Sequence, residues 1–292
     1  MKQIPIALRN HLAQPATSWC LIMRVACVGR WAGTVLGFAD LDESILYDDG
    51  AGPVLYRCDN GFAPERLQHT ADMSVDNTDL VGWVQDTGIT EQQILAGIFD
   101  FAECAIYRVN YLDLSQRHEV VAFGSLGRTQ FTANQWRVEF RSLMQMARQP
   151  QSAVYSLTCR ATYGDERCGL PLAWVPGTVA SVGYDDSRMF TWAAGTPDDY
   201  YNPGVVEWLT GGNAGAQMEV DDQTGDAFRL TLPMPFPIKP GDAFRIRIDC
   251  DKKAATCKAR GNFLNFRAEP LTPVADTALS VPGAYIKSVD AK

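Results

Sequence analysis

Cys250-Asp251-Lys252-Lys253-Ala254-Ala255-Thr256-Cys257 lies late in a chain of 292 residues, and an earlier stretch has the same character. That counterpart is Cys159-Arg160-Ala161-Thr162-Tyr163-Gly164-Asp165-Glu166-Arg167-Cys168. Six residues separate the cysteines of the later pair and eight those of the earlier, with about eighty residues between the pairs. Both pairs sit in polar, Gly- and charge-rich segments, whereas a cysteine used for packing belongs in an apolar strand. Arg160, Arg167, Lys252, Lys253, Lys258 and Arg260 surround them in sequence. Cationic neighbours favour thiolates and offset the negative charge of a thiolate-bound metal. The four cysteines therefore read as one metal site tying two distant segments together.

The spacing leaves the metal open. Zinc ribbons and fingers space their paired cysteines by two to four residues, and neither loop does so. Four thiolates on wider loops suit an iron–sulfur cluster, with zinc as the second choice. Two disulfides, or four unrelated thiols, are the alternatives that cysteine arithmetic allows.

The chain is long enough for two domains. Hydrophobic residues make up 46% and charged residues 21%, an ordinary globular balance. Frequent Gly and Pro, with short runs of Val, Thr and aromatics, favour many strands and turns. The formal net charge of −8 argues against a dedicated nucleic-acid binder, which needs a basic face. The first residues carry no signal-peptide pattern, and the apolar run from Trp19 to Val28 is broken by Arg24 and too short to span a bilayer. A cytoplasmic site of synthesis is expected, where reduced thiols and metal binding prevail over disulfides.

Along the chain, Pro5 to Gln14 reads as a short amphipathic helix. Ser18 to Val28 and Thr34 to Phe38 read as a hairpin around Gly29 to Gly33. Cys20 and Cys27 stand an odd number of residues apart, so they point to opposite faces, and packing is the expected role for both, as for Cys58 and Cys104. Asp40 to Pro53 is acidic and turn-rich and reads as an exposed loop. Thr90-Glu91-Gln92-Gln93 has the capping-box pattern of a helix start. Ala102 to Leu112, Arg117 to Phe123, Gly127 to Phe131 and Gln135 to Phe140 form a meander, and Ser142 to Arg148 a helical turn or two. After Cys168, strands are expected at Gly177 to Val182, Met189 to Ala193, Gly204 to Leu209, Gln217 to Val220, Ala227 to Leu232 and Ala243 to Ile248. Their spacing predicts a small barrel or sandwich closed at its neck by the cysteine pairs. The expected organisation is thus mainly β: an antiparallel domain with small helices over 1–155, a four-cysteine β domain over 156–267, and a proline-rich arm over 268–292.

Signs of an enzyme are absent. No P-loop, His-Glu-x-x-His, nucleophile elbow or dinucleotide glycine pattern occurs. A Cys–His hydrolase would have to draw on Cys58 or Cys104 with His69 or His118. Asp198-Asp199 and Asp221-Asp222 lack the alternation of an EF-hand calcium loop and read as solvated turns.

The motifs together resemble a family of tailed-phage tail proteins. They are Cys250 to Arg260 with Asn265-Phe266-Arg267, and Cys159-Arg160-Ala161 with Gly164-Asp165 and Cys168. To these add Gly37-Phe38-Ala39-Asp40 with Asp42, Ile94-Leu95-Ala96-Gly97 with Phe99-Asp100, Gly124-Ser125-Leu126-Gly127, and Gly212-Asn213-Ala214-Gly215. The family is the hub protein of phage and gene-transfer-agent tails, related to minor tail protein L of phage lambda. The sequence departs from its pattern at Ala39 and Leu41, at Asp249, and at Ala268-Glu269. The resemblance implies tail-tube-like β domains and a homotrimeric ring at the virion tail tip, joining the distal tail protein to a central tip or fibre protein. DNA would pass through the lumen only in transit, assembly would occur in the host cytoplasm, and no membrane insertion is implied. It further implies that Cys159, Cys168, Cys250 and Cys257 hold a [4Fe–4S] cluster. The competing reading is a cytoplasmic iron–sulfur or zinc protein with a redox or sensing role.

Overall fold

The structure is a computed structural model that describes residues 4–59, 63–64, 77–83, 89–132, 135–147, 149 and 152–272. His69 and most of the expected arm, 273–292, lie outside the described residues. The chain divides into two compact units: Met1–Gln149 with Met234–Phe236, and Pro150–Pro233 with Pro237–Lys292.

In the first unit, helix α1 (Ile6–Leu12) precedes strands β1 (Trp19–Ala26), β2 (Val35–Ala39), β3 (Ile45–Asp48), β4 (Pro53–Arg57), β5 (Ala63–Pro64) and β6 (Asn77–Trp83). Helix α2 (Glu91–Leu95) follows, then β7 (Glu103–Asn110), β8 (His118–Thr132), β9 (Gln135–Ser142) and helix α3 (Leu143–Ala147). The nine strands form one sheet in the order β3-β4-β2-β1-β7-β8-β9-β6-β5. β1 and β2 pair antiparallel with Ile22 opposite Ala39, as the hairpin reading requires. α2 starts as its sequence predicts. Thr90 Oγ1 accepts from the Gln93 N–H while the Gln93 side chain accepts from the Thr90 N–H, so two otherwise orphaned donors are satisfied.

β1 is central and buried on both faces, and its alternation sorts two cores. Met23 and Val25, with Cys27 just beyond the strand, face a large cluster holding Phe38, Phe99, Ile106 and Trp136. Cys20 and Ile22 face a smaller one with Ile45, Tyr47, Tyr56 and Val109. The two cysteines thus fall on opposite sides. Burial pushes both thiols up to about 11. Trp136 is the centre of the large cluster, with Phe38 at 5.7 Å and Phe99 at 5.1 Å between ring centroids.

Three local readings need correction. Within Asp40 to Pro53 the residues Ile45–Asp48 form β3, pairing with β4, because Ile45 and Tyr47 alternate inward against the small core while Leu46 and Asp48 stay outside. Acidic neighbours hid that alternation. Asp49, beyond the strand, accepts a hydrogen bond from Tyr107 Oη at 2.9 Å instead of standing in solvent. The two strands expected over Arg117 to Phe131 are one strand, β8, whose register against β9 shifts between Leu126 and Thr129. Gly127 lies at that irregularity, and a Cβ there would come within 2.3 Å of Arg141 Nε. The domain expected to be antiparallel also contains a parallel pair, β2 with β4, made possible by Gly37, whose added Cβ would meet Leu55 O at 2.6 Å.

In the second unit, β10 (Val175–Thr178), β11 (Ser181–Val182), β12 (Met189–Thr191), β13 (Gly204–Trp208), β14 (Gln217–Thr224), β15 (Ala227–Leu230) and β16 (Ala243–Ile248) are followed by helix α4 (Ala254–Ala259). The sheet order is β10-β16-β13-β14-β15-β12-β11. Its outer strands, β10 and β11, are neighbours in the chain. Val179 N–H donates to Asp242 O beside one edge, and Ala180 N–H to Thr191 O beside the other. The sheet therefore curls until its edges meet, around an aromatic core. There Phe190 stacks on Phe228 at 5.4 Å and meets Trp208 and Phe244 edge-on. Gly177 makes room, since a Cβ on it would lie 2.6 Å from the Phe244 ring.

Each core carries its own test. Trp136→Ala in the first unit, or Trp208→Ala in the second, should cost about 3–5 kcal/mol, the usual loss for a fully buried tryptophan. Urea denaturation reads this directly, and Trp136→Phe should lose distinctly less. A loss below about 1 kcal/mol for Trp136→Ala would mean that the cluster is not packed as described.

Candidate four-cysteine centre

The two cysteine loops are built by short-range hydrogen bonds that their sequences encode. In the earlier loop Asp165 accepts from the N–H groups of Thr162 (3.0 Å) and Cys168 (2.7 Å), with Gly164 in the left-handed region between them. In the later loop Asp251 accepts from the Lys253 N–H at 3.0 Å and the Thr256 hydroxyl at 2.8 Å. α4 then presents Cys257. It ends where Gly261 takes a left-handed turn, with Gly261 N–H bonded to Lys258 O and Asn262 N–H to Cys257 O. That paired bonding is a Schellman motif. It delivers Asn262 to the sulfurs.

The loops also bond to each other. Cys159 N–H donates to Lys252 O at 2.9 Å, and Arg160 N–H to Arg267 O at 3.1 Å. Lys252 Nζ reaches Ala161 O at 2.9 Å, and Asn262 Nδ2 reaches Cys168 O at 2.7 Å. Lys252 itself holds a left-handed φ of 61°, uncommon for a residue with a Cβ.

The result is one cavity of about 350 Å³, solvent at its mouth included, lined by Cys159, Cys168, Cys250 and Cys257. Three sulfurs face N–H donors: Lys252 N to Cys250 Sγ at 3.4 Å, Arg267 N to Cys159 Sγ at 3.4 Å, and Asn262 Nδ2 to Cys168 Sγ at 3.7 Å. The fourth, Cys257, donates to Asn262 O at 3.3 Å. Burial pushes the Cys257 thiol up, the other three cysteines add to it, and Arg260 works the other way. All eight cysteines of the chain are free, so neither pair is a disulfide. Among the described residues no three His, Cys, Asp or Glu side chains converge closely enough to hold a single metal ion. The four cysteines instead share one cavity wall.

Of the six basic residues near the pairs in sequence, Lys252 and Arg260 line the cavity. Arg160 turns to Glu269, with contacts of 2.6 and 2.7 Å, and Arg167 turns to Asp165. Asp249 bonds the Cys250 N–H at 2.7 Å and pairs with Arg247 at 3.2 Å, so this departure from the family pattern is built into the site. Asn262, Arg267 and the walls Tyr163 and Phe266 were not singled out as site residues. Only the Gly261-Asn262 pair, a helix-stop signal, pointed to the first of them.

Among the described residues the other candidates do not assemble. Cys104 is fully buried, with its thiol pushed far up by desolvation. It faces Gly124 on β8, six residues or about 20 Å along the strand from His118. His118 Nδ1 is engaged by Tyr47 Oη at 2.7 Å. Cys58 is half-buried beside Ser44 rather than packed in a strand. Asp221 pairs with Arg229 at 2.9 Å, and Asp198 accepts from the Gly225 N–H at 2.6 Å.

The start of the expected arm is not loose. Glu269 is clamped by Arg160, accepts from the Ser156 N–H at 3.1 Å, and donates its own N–H to Ser156 O. The Arg160 hydrogen bonds, helped by the Ser156 N–H, hold its carboxyl down at about 2, against 4.5 unperturbed. A depressed carboxyl stabilises the fold above its unfolded pKa and loses that contribution as pH falls through the folded one. The advantage of wild type over Glu269→Gln should therefore be complete above about pH 4.5 and fade toward pH 2. Urea midpoints for both proteins at pH 6, 4 and 3 measure it, and a constant difference across that range would refute the clamp.

Comparison with known proteins agrees with this architecture. Residues 5–171, more than half of the chain, match the family model described as "Baseplate hub protein, N-terminal attachment domain". Residues 199–276, which include the later cysteine pair, match the model described as "Phage conserved hypothetical protein BR0599". No curated protein matches the chain. A chain of the solved structure described as "Virion of native gene transfer agent (GTA) particle" superposes with a TM-score of 0.77 at 29% identity, over 95% of this chain and 96% of that one. The chain belongs to the baseplate hub family of phage and gene-transfer-agent tails.

Proposed function

We propose that the chain is a non-enzymatic tail-tip hub, three copies of which form a ring between the distal end of the tail tube and the central tip or fibre protein. The observation that carries this is the likeness to a virion chain over nearly the full length of both molecules. The net charge of −8 suits a ring whose lumen passes DNA without binding it. A cryo-EM map of the assembled particle tests the placement. Three copies at the tail tip are expected, and this chain in the capsid or along the tail shaft would overturn the reading.

The second unit is proposed to hold a [4Fe–4S] cluster on Cys159, Cys168, Cys250 and Cys257. The donor set fits such a group. Four thiols line one cavity, and three of their sulfurs already face N–H donors of the kind that stabilise ligating thiolates. Bound there, the cluster would supply four metal–thiolate bonds that fasten the two loops together. This chain's part is to hold the sulfurs apart, satisfy them with N–H donors and shield them with Tyr163 and Phe266. Zinc is disfavoured because its paired cysteines are usually spaced by two to four residues, against eight and six here.

Protein purified without oxygen should be brown, with about four irons and four acid-labile sulfides per chain. Serine at the four ligand positions should abolish the iron and yield misassembled tails. Ala at Cys20, Cys27, Cys58 or Cys104 should leave it intact, with a packing loss at the buried three. Stoichiometric zinc without iron, in cells supplied with iron, would refute the cluster. Reversible redox cycling by a free protein that never joins a particle would favour a redox or sensing role instead.

A further inference from the structure

Arg260 leaves something unused at the cavity. Its guanidinium lies over the Tyr163 ring, 5.2 Å from the centroid, and Nη2 donates to Asp249 O at 2.8 Å. Tyr163 in turn carries Arg247 at 5.9 Å, and Arg247 pairs with Asp249. The guanidinium is thus fixed in plane and in direction. Nη1 is buried and has no hydrogen-bond partner among the described residues, although Arg260 lines the same cavity as the four sulfurs. A buried N–H of a cation without an acceptor carries an uncompensated desolvation penalty. An orphan of this kind on a residue that lines the cavity is open to an acceptor that a ligand brings.

We propose that Arg260 is the positioning donor of this site, its Nη1 bonding directly to the anionic group that the four cysteines hold. The inference rests on the cluster reading. A cubane with four thiolate ligands carries negative charge and exposes sulfides that accept hydrogen bonds, which matches a fixed guanidinium. A neutral pair of disulfides would give Nη1 only a weak acceptor and no charge to offset. Lys252, the other cation at the wall, gives one of its three ammonium N–H donors to Ala161 O. Arg260 differs in that its free donor is buried and held in one direction by the Tyr163 ring and Asp249 O.

The test uses the full chain, purified anaerobically, as wild type, R260K and R260Q, with circular dichroism to check folding. A dithionite-mediated redox titration followed by electron paramagnetic resonance reads the potential of the one-electron couple. Removing a positive donor disfavours the more negative reduced state, so R260Q should shift to lower potential, with R260K in between. Iron loss to a chelator should become several-fold faster in R260Q. A further measurement needs no variant to load. Wild type grown with arginine labelled with 15N only in the guanidinium should show a nitrogen hyperfine coupling in the reduced state. Iron-loaded R260Q with unchanged potential and chelation rate, or labelled wild type without the coupling, overturns the role of Arg260 while leaving the cluster reading standing. Wild type free of iron and sulfide overturns both.

Discussion

The hydrogen bond from Cys159 N–H to Lys252 O joins residues more than ninety positions apart, and the candidate centre depends on that junction. Closing a free loop of that length costs on the order of 4 kcal/mol of chain entropy, before the constant term. One backbone hydrogen bond returns about 1 kcal/mol. The junction cannot hold itself. What makes it affordable is the curled sheet between the loops. β10 pairs with β16, Val175 opposite Ile246, so the chain enters and leaves side by side. Only the short segments outside that pair remain to be closed.

The aromatic core therefore acts at a distance on the cysteines. Phe190, Trp208, Phe228 and Phe244 hold the curled sheet, the sheet fixes β10 beside β16, and the pair sets the two loops against each other. A bound group would add a second closure at the same place. Its effect would be largest on the loops, whose hydrogen bonds are half-exposed, and small on the core. Such a group would act where the fold alone is weakest.

The first unit solves a different problem. Its sheet has a central strand, β1, buried on both faces, so it needs cover on both. The large core supplies one side through α2 and the Trp136 cluster, and the small core supplies the other through β3 and β4. The parallel pairing of β2 with β4 is possible because Gly37 lets two backbones approach, and β3 pairs with β4 despite its acidic surroundings.

The sequence by itself determined five of the six strands expected in the second unit (Gly177 to Val182 is instead split between β10 and β11, at opposite sheet edges), the Thr90 capping box, the opposed faces of Cys20 and Cys27 and the grouping of four cysteines that line one cavity. Each of these rests on local spacing or alternation, which residues encode directly. The tertiary structure alone decided which neighbours matter. Arg160 and Arg167 look like Arg260 in sequence, yet they are spent on Glu269 and Asp165, while Arg260 is held against Tyr163 at the cavity wall. Nothing local announces the left-handed backbone of Lys252 or the reach of Arg267 N–H to Cys159 Sγ, because both arise only once distant loops are pressed together. The merging of two strands into β8 and the emergence of β3 have the same origin. Partner strands, absent from any local window, fix where a strand ends.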